Sequence, residues 1–144
     1  MSQEDSEKEL PVGQIGQIVA RGASLMLGYY DNQKATEDSY NTSGWFLTGD
    51  LGYLDADGYI VITGRKKDVI IRGGHNIFPA KIEELTYQFV GVERAAAIPV
   101  PDERLGEKVC IVVMAKPGTE ISPDDLLEHL YISGLSKFDM PEYF

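Results

Sequence analysis

Cysteine is nearly absent from this chain: of 144 residues only Cys110 carries a thiol. That excludes a disulfide framework within the chain and any metal site built on paired cysteines. Cys110 sits among Val109, Ile111, Val112 and Val113, which predicts a small buried hydrophobe and no nucleophile. Long apolar runs are missing too. No stretch approaches the roughly 18 residues that cross a bilayer as a helix, and the N-terminus has neither a basic flank nor an apolar signal core. The expectation is a soluble, cytoplasmic protein with no transmembrane segment. Positive charge is scarce, with 13 Lys+Arg against 23 Asp+Glu and a formal net charge of -10, which argues against a nucleic-acid partner. There is no Gly-x-x-x-x-Gly-Lys phosphate loop, no Ser, His and acid arrangement, no metal-ligand spacing, no internal repeat and no low-complexity segment.

What is present is a hydrophobic fraction of 43%, ordinary for a globular fold. Residues 1–11, with Glu4, Asp5, Glu7 and Glu9, have no apolar periodicity and read as a disordered tail. Residues 12–64 read as a small β subdomain. Ile15, Ile18, Val19 and Ala20 lie between glycines and suit a strand over 13–21; the polar stretch 31–40 suits a short helix. From Trp45 to Thr63, apolar bursts are separated by Gly49–Asp50, Gly52 and Asp57–Gly58, and an Asp-Gly pair between apolar runs signals a hairpin.

The texture changes at Gly64-Arg65-Lys66-Lys67, which places a domain boundary between 64 and 65. Residues 65–144 then read as a strand over 68–71, a glycine turn Arg72-Gly73-Gly74-His75, and a helix from Pro79 with Ile82, Leu85 and Phe89 on one face. Strands follow over 95–100 and 109–115. Ser122-Pro123-Asp124-Asp125 has the cap, proline and acids of a helix start, with Leu126, Leu127, Leu130 and Tyr131 as its buried stripe. The fold class is α+β: a small β subdomain, then a compact domain with helices on a small sheet.

Several residues could carry chemistry. Asp50, just after Gly49 at the end of an aromatic-rich strand, can accept two hydrogen bonds from a ribose diol, or Thr48-Gly49-Asp50 can be a plain turn. Arg65, Lys66, Lys67 and Arg72 oppose only Asp68, a basic spot that either faces phosphate or ribose or is a solvated strand end. Gly73–Gly74 leaves backbone open to a ligand, or is simply a turn, with His75 a hydrogen-bonding neighbour. Asp55-Ala56-Asp57-Gly58 hints at a calcium loop, but its twelfth position is Lys66 where a glutamate is needed, so a hairpin turn is expected and no metal site. His129, on the last helix, reads as a surface residue.

Taken together, these stretches resemble the adenylate-forming superfamily, which contains acyl-CoA synthetases, firefly luciferase and the adenylation domains of peptide synthetases. The resemblance rests on Arg21-Gly22 with Met26, Gly28, Tyr29 and Tyr30, on Trp45 to Leu51, on Gly64 to Asp68 with Gly73 to Asn76, and on Pro79 to Glu83. It covers residues 11–144. It implies that residues 12–64 end the family's large AMP-binding domain and that 65–144 are its C-terminal domain, truncated before the catalytic lysine. It further implies that Asp50 binds the ribose hydroxyls of ATP, that Arg65 contacts the same nucleotide, and that Ile62 packs against the nucleoside. Lys67 falls on the family's hinge position, and Gly73, Gly74 and His75 on the loop lining the CoA tunnel.

The function so implied is that of an acid–CoA ligase using ATP, Mg2+, CoA and a small-molecule carboxylic acid, working with an upstream large domain. The alternatives are a carrier-protein-directed adenylation domain or a noncatalytic nucleotide- or CoA-binding module. The phosphate loop, the acyl pocket and the Gly-Lys motif of the family have no counterpart in the sequence. The isolated chain is therefore expected to be inactive, with no catalytic residue of its own and no tightly bound cofactor.

Overall fold

The computed structural model describes residues 8–144, so most of the expected tail lies outside the described residues. The chain divides into two compact units, Met1–Lys67 and Asp68–Phe144. Among the described residues no helix is long and apolar enough to cross a membrane.

In the first unit β1 (Gly16–Ala20), β2 (Phe46–Leu54) and β3 (Ile60–Arg65) form an antiparallel sheet in that order. The short helix α1 (Gln33–Asp38) is capped by Asn32, whose side chain accepts from the Ala35 N–H at 3.0 Å. Asp55 closes the β2–β3 hairpin, its carboxylate accepting from the Asp57 and Tyr59 N–H groups at 3.0 and 2.9 Å. That is the work of a turn residue. Gly49–Asp50 and Gly52 do not separate short bursts as expected; all three lie inside β2. Leu10 and Pro11, placed in the tail by composition, line a groove of about 180 Å³ with Ile18, Val19, Tyr53 and Ile60.

The second unit contains β4 (Ile70–Arg72), β5 (His75–Ile77), helix α2 (Pro79–Tyr87), β6 (Val92–Asp102), β7 (Gly106–Ala115) and helix α3 (Pro123–Ile132). Its sheet runs β5-β4-β7-β6, all antiparallel. The expected strand at 68 begins later, because Lys66–Asp68 form a 3-10 turn, and β5 is an element the sequence reading omits. Ile70, Ile77, Val109 and Ile111 from the sheet meet Ile82 and Leu85 of α2 and Leu126 and Leu130 of α3 in one buried cluster. Ser122 caps α3 by accepting from the Asp125 N–H. Pro99 and Pro101 fit because β6 is the sheet edge. There Glu83 of α2 accepts from the Ala97 N–H at 3.0 Å and covers that edge.

Three expectations about burial need correction. Strand alternation turns Val109 and Ile111 inward, so Cys110 between them faces the other side and is only half-buried. Tyr131 lies five residues beyond Leu126, about 140° around the helix from it, and is 66% exposed. His129 is half-buried and not simply exposed: its Nε2 donates to the Leu85 carbonyl at 3.0 Å, and its ring meets Phe89 edge-on at 5.3 Å. Phe89 itself lies past the end of α2.

The β6–β7 turn is closed by Asp102. One of its oxygens accepts from the Arg104 and Leu105 N–H groups at 3.0 and 2.8 Å, and the other pairs with Lys108 at 2.6 Å. The Lys108 ammonium first, then the Leu105 N–H, hold the Asp102 carboxyl down at about 2, and Lys108 is pushed up in return.

Two outcomes follow for the chain in solution. Leu126→Ala empties a fully buried site on α3 and should cost the second unit about 2–5 kcal/mol in urea unfolding, whereas Tyr131→Ala stays within about 0.5 kcal/mol. Because the folded pKa of Asp102 lies below the ordinary 3.8, its stabilisation is complete above about pH 4 and lost as pH falls through about 2. The unfolding midpoints of the native chain and of Asp102→Asn should therefore differ at pH 7 and converge towards pH 2; a gap that persists at low pH would mean that the charge plays no part.

Candidate functional site

The first cluster forms on the β2–β3 pair. Asp50 and Arg65 are direct cross-strand partners, and the Arg65 Nε donates to Asp50 Oδ1 at 3.1 Å. Thr48 sets the local path: its hydroxyl donates to the Ile18 carbonyl at 2.8 Å and accepts from the Asp50 N–H at 3.0 Å. Between them Gly49 takes φ +80°, a left-handed conformation that bends β2 within the strand and is open to glycine at no steric cost. The Arg65 guanidinium passes over that glycine.

Ile62 reaches the same face by a bulge. Leu51 pairs with Gly64 but Gly52 pairs with Ile62, so Thr63 is an extra residue in β3. Without it, Ile62 and Arg65, three apart, would point to opposite faces. With it, both share the face of Asp50. Ile62 is 67% exposed there, while the Thr63 hydroxyl is buried with no partner among the described residues. Sequence reasoning gave Thr48 and Thr63 no role of their own, because that of Thr48 depends on β1 and that of Thr63 on the register between β2 and β3.

The residues expected to form one basic spot are divided between the two units. Arg65 pairs with Asp50, and Arg72 pairs with Glu142 in the second unit. Lys67 is exposed in the 3-10 turn and is the last residue of the first unit.

The second cluster surrounds the β4–β5 hairpin. Arg72 and His75 are its closing pair, and Gly73 and Gly74 between them take φ +57° and +84°. Two successive positive values are the requirement of the tight hairpin turn that glycine suits. The Gly73 N–H donates to the Leu105 carbonyl at 2.7 Å. Arg72, Gly73, His75, Arg104, Leu105 and Phe138 line a groove of about 480 Å³. Gly74 is not part of that lining; a side chain built on it would meet nothing within 4 Å. Arg72 also donates to the Phe138 carbonyl at 3.0 Å, and His75 Nε2 lies 2.7 Å from Asp139 Oδ1. None of Arg104, Phe138, Asp139 and Glu142 was a candidate from sequence, since they meet the turn only through the fold. No group of three or more His, Cys, Asp or Glu that could hold a metal ion occurs among the described residues.

No protein-family model matches the chain. Individual relatives do. Sulfoacetate–CoA ligase of Cupriavidus necator is 40% identical over 137 residues, which cover 95% of this chain and 27% of that protein. Medium-chain fatty-acid–CoA ligase of Escherichia coli is 36% identical over 141 residues, covering 97% of this chain and 25% of that protein. Among solved structures, ATP-bound MatB from Rhodopseudomonas palustris superposes with a TM-score of 0.84 at 40% identity, over 94% of this chain and 27% of its own. The chain thus spans about a quarter of the length of the proteins it matches. It belongs to the adenylate-forming superfamily and matches a C-terminal portion of relatives named as acid–CoA ligases.

Proposed function

We propose that the chain serves a two-step acid–CoA ligase. A carboxylate attacks ATP to give acyl-adenylate and pyrophosphate, and the CoA thiol then displaces AMP to give the thioester. The observation that carries this reading is the exposed Asp50–Arg65 pair with Ile62 on its face. With the two side chains 37% and 53% exposed, the pair adds only about 0–1 kcal/mol to the fold. A carboxylate so little needed for stability is free to receive a ribose diol, with Ile62 offering apolar surface to the nucleoside. Arg65 orients the carboxylate and adds positive charge beside the nucleotide.

Residues 12–64 are, in this reading, the end of the large AMP-binding domain, and 65–144 the C-terminal domain that moves against it in the cytoplasmic enzyme. Lys67, at the division between the two units, is the hinge. Gly73, Gly74 and His75 face the CoA, and the neighbouring Arg104 and Phe138 suit a ligand that carries phosphates and an aromatic base. Magnesium enters with ATP; no residue of this chain is assigned to it. The protein contributes placement and charge stabilisation.

Asp50→Ala tests the reading in a full-length ligase carrying this segment. Loss of a hydrogen-bonding charged partner for the ribose should cost about 1.5–3 kcal/mol, roughly 10–150-fold in pyrophosphate exchange at subsaturating ATP, with the unfolding midpoint nearly unchanged. An unaltered exchange rate would sink the assignment. Lys67→Pro tests the hinge, because proline fixes φ and should trap one arrangement of the two domains. Adenylation should survive within about tenfold while thioester formation from preformed acyl-adenylate falls much further; equal losses in both steps would leave Lys67 an ordinary exposed cation.

A further inference from the structure

The turn that the ligase reading assigns to CoA has no side chains of its own with which to hold its shape. Gly73 and Gly74 are both in left-handed backbone, where glycine is also the residue with most freedom to leave. Its anchors are its two flanking residues, and both are tied to one segment far along the chain. Arg72 donates to the Phe138 carbonyl and ion-pairs with Glu142, while His75 meets the Asp139 carboxylate at 2.7 Å and tilts against the Phe138 ring at 6.1 Å.

That segment is itself fixed. Pro141 is buried and Met140 packs against the core cluster. The second oxygen of Glu142 accepts from the Val109 N–H at 3.1 Å, and Tyr143 pairs alongside Cys110 of β7. From the other side, the Leu105 carbonyl holds the Gly73 N–H, and Asp102 holds the N–H of Leu105. The turn is thus gripped at Arg72, Gly73 and His75, and Gly74 alone stands clear.

We infer that Asp139, through His75, and Glu142, through Arg72, are positioning residues that brace the Gly73–Gly74 turn for the thioester-forming step. The inference rests on the ligase reading given above. With His75 half-exposed, its pair with Asp139 contributes little to global stability. Its effect is instead local, since a displacement of about 1 Å at a binding turn can cost as much as about 100-fold in a step that depends on placement.

The test uses a full-length ligase carrying this segment, with pyrophosphate exchange and single-turnover thioester formation measured on the same preparation. Asp139→Ala should raise the KM for CoA about tenfold while exchange stays within about twofold and the melting temperature holds. Asp139→Asn, which keeps the shape, guards against a folding defect and should give a smaller loss in the same direction. His75→Ala should reproduce the loss, and the double variant should be no worse than either single one, as expected of residues acting through one contact. Additive losses, equal losses in both steps, or an unchanged KM for CoA would overturn the brace. Gly74→Val separates this from failure of the parent reading. If it halts thioester formation while the Asp139 variants do nothing, the brace alone is wrong; if it too leaves CoA kinetics unchanged, the CoA assignment fails and the brace with it.

Discussion

One additional residue in β3 decides which side chains the first unit gathers on one face of its sheet. Strand side chains alternate with period two, so a separation of three puts residues on opposite faces unless a bulge intervenes. Thr63 is that bulge, and through it Ile62 and Arg65 join Asp50 on a single surface. The surface combines a carboxylate, a guanidinium and an apolar side chain. A nucleotide would call on the same three things: acceptors for its hydroxyls, charge near its phosphates and something flat or greasy beside its base. The buried, unpartnered Thr63 hydroxyl is the local cost of that arrangement.

The second unit solves a different problem. Its core is built by alternation in β7 and by the apolar stripes of α2 and α3, and none of that requires the glycine turn. The turn projects from the β4–β5 end of the sheet, where pairing between β4 and β7 is confined to Arg72 and Gly106. Side chains replace the missing ladder: Glu107 accepts from the Ile71 N–H at 2.7 Å, and Asp102 orders the backbone that receives Gly73. Stability and site are therefore carried by largely separate residues.

Much of this was legible in the sequence because it depends on neighbours in the chain. Asp57–Gly58 marked the hairpin, Ser122-Pro123 the start of α3, and Gly73–Gly74 a turn with positive φ. The family motifs pointed to Asp50 and Arg65, and the register makes them cross-strand partners. What escaped notice depends on partners distant in sequence. Glu83 looked like part of a helical motif, yet its visible task is to cap an edge strand at Ala97. His129 read as surface because its partners, Leu85 and Phe89, lie on another helix and just beyond it. Cys110 was misjudged for a simpler reason: an apolar run does not say which of a strand's two faces is covered.

The separation between the glycine turn and its anchors has a bearing on synthesis. Arg72 reaches Phe138 across 66 positions and His75 reaches Asp139 across 64. On the ribosome the turn emerges with β4 and β5 beside it, while its anchors are translated more than sixty residues later. Closing so long a loop costs entropy that must be met before the contacts return anything. The nascent second unit can thus form its sheet with the turn held only at Gly73, and Arg72 and His75 are fixed when residues 138–142 arrive.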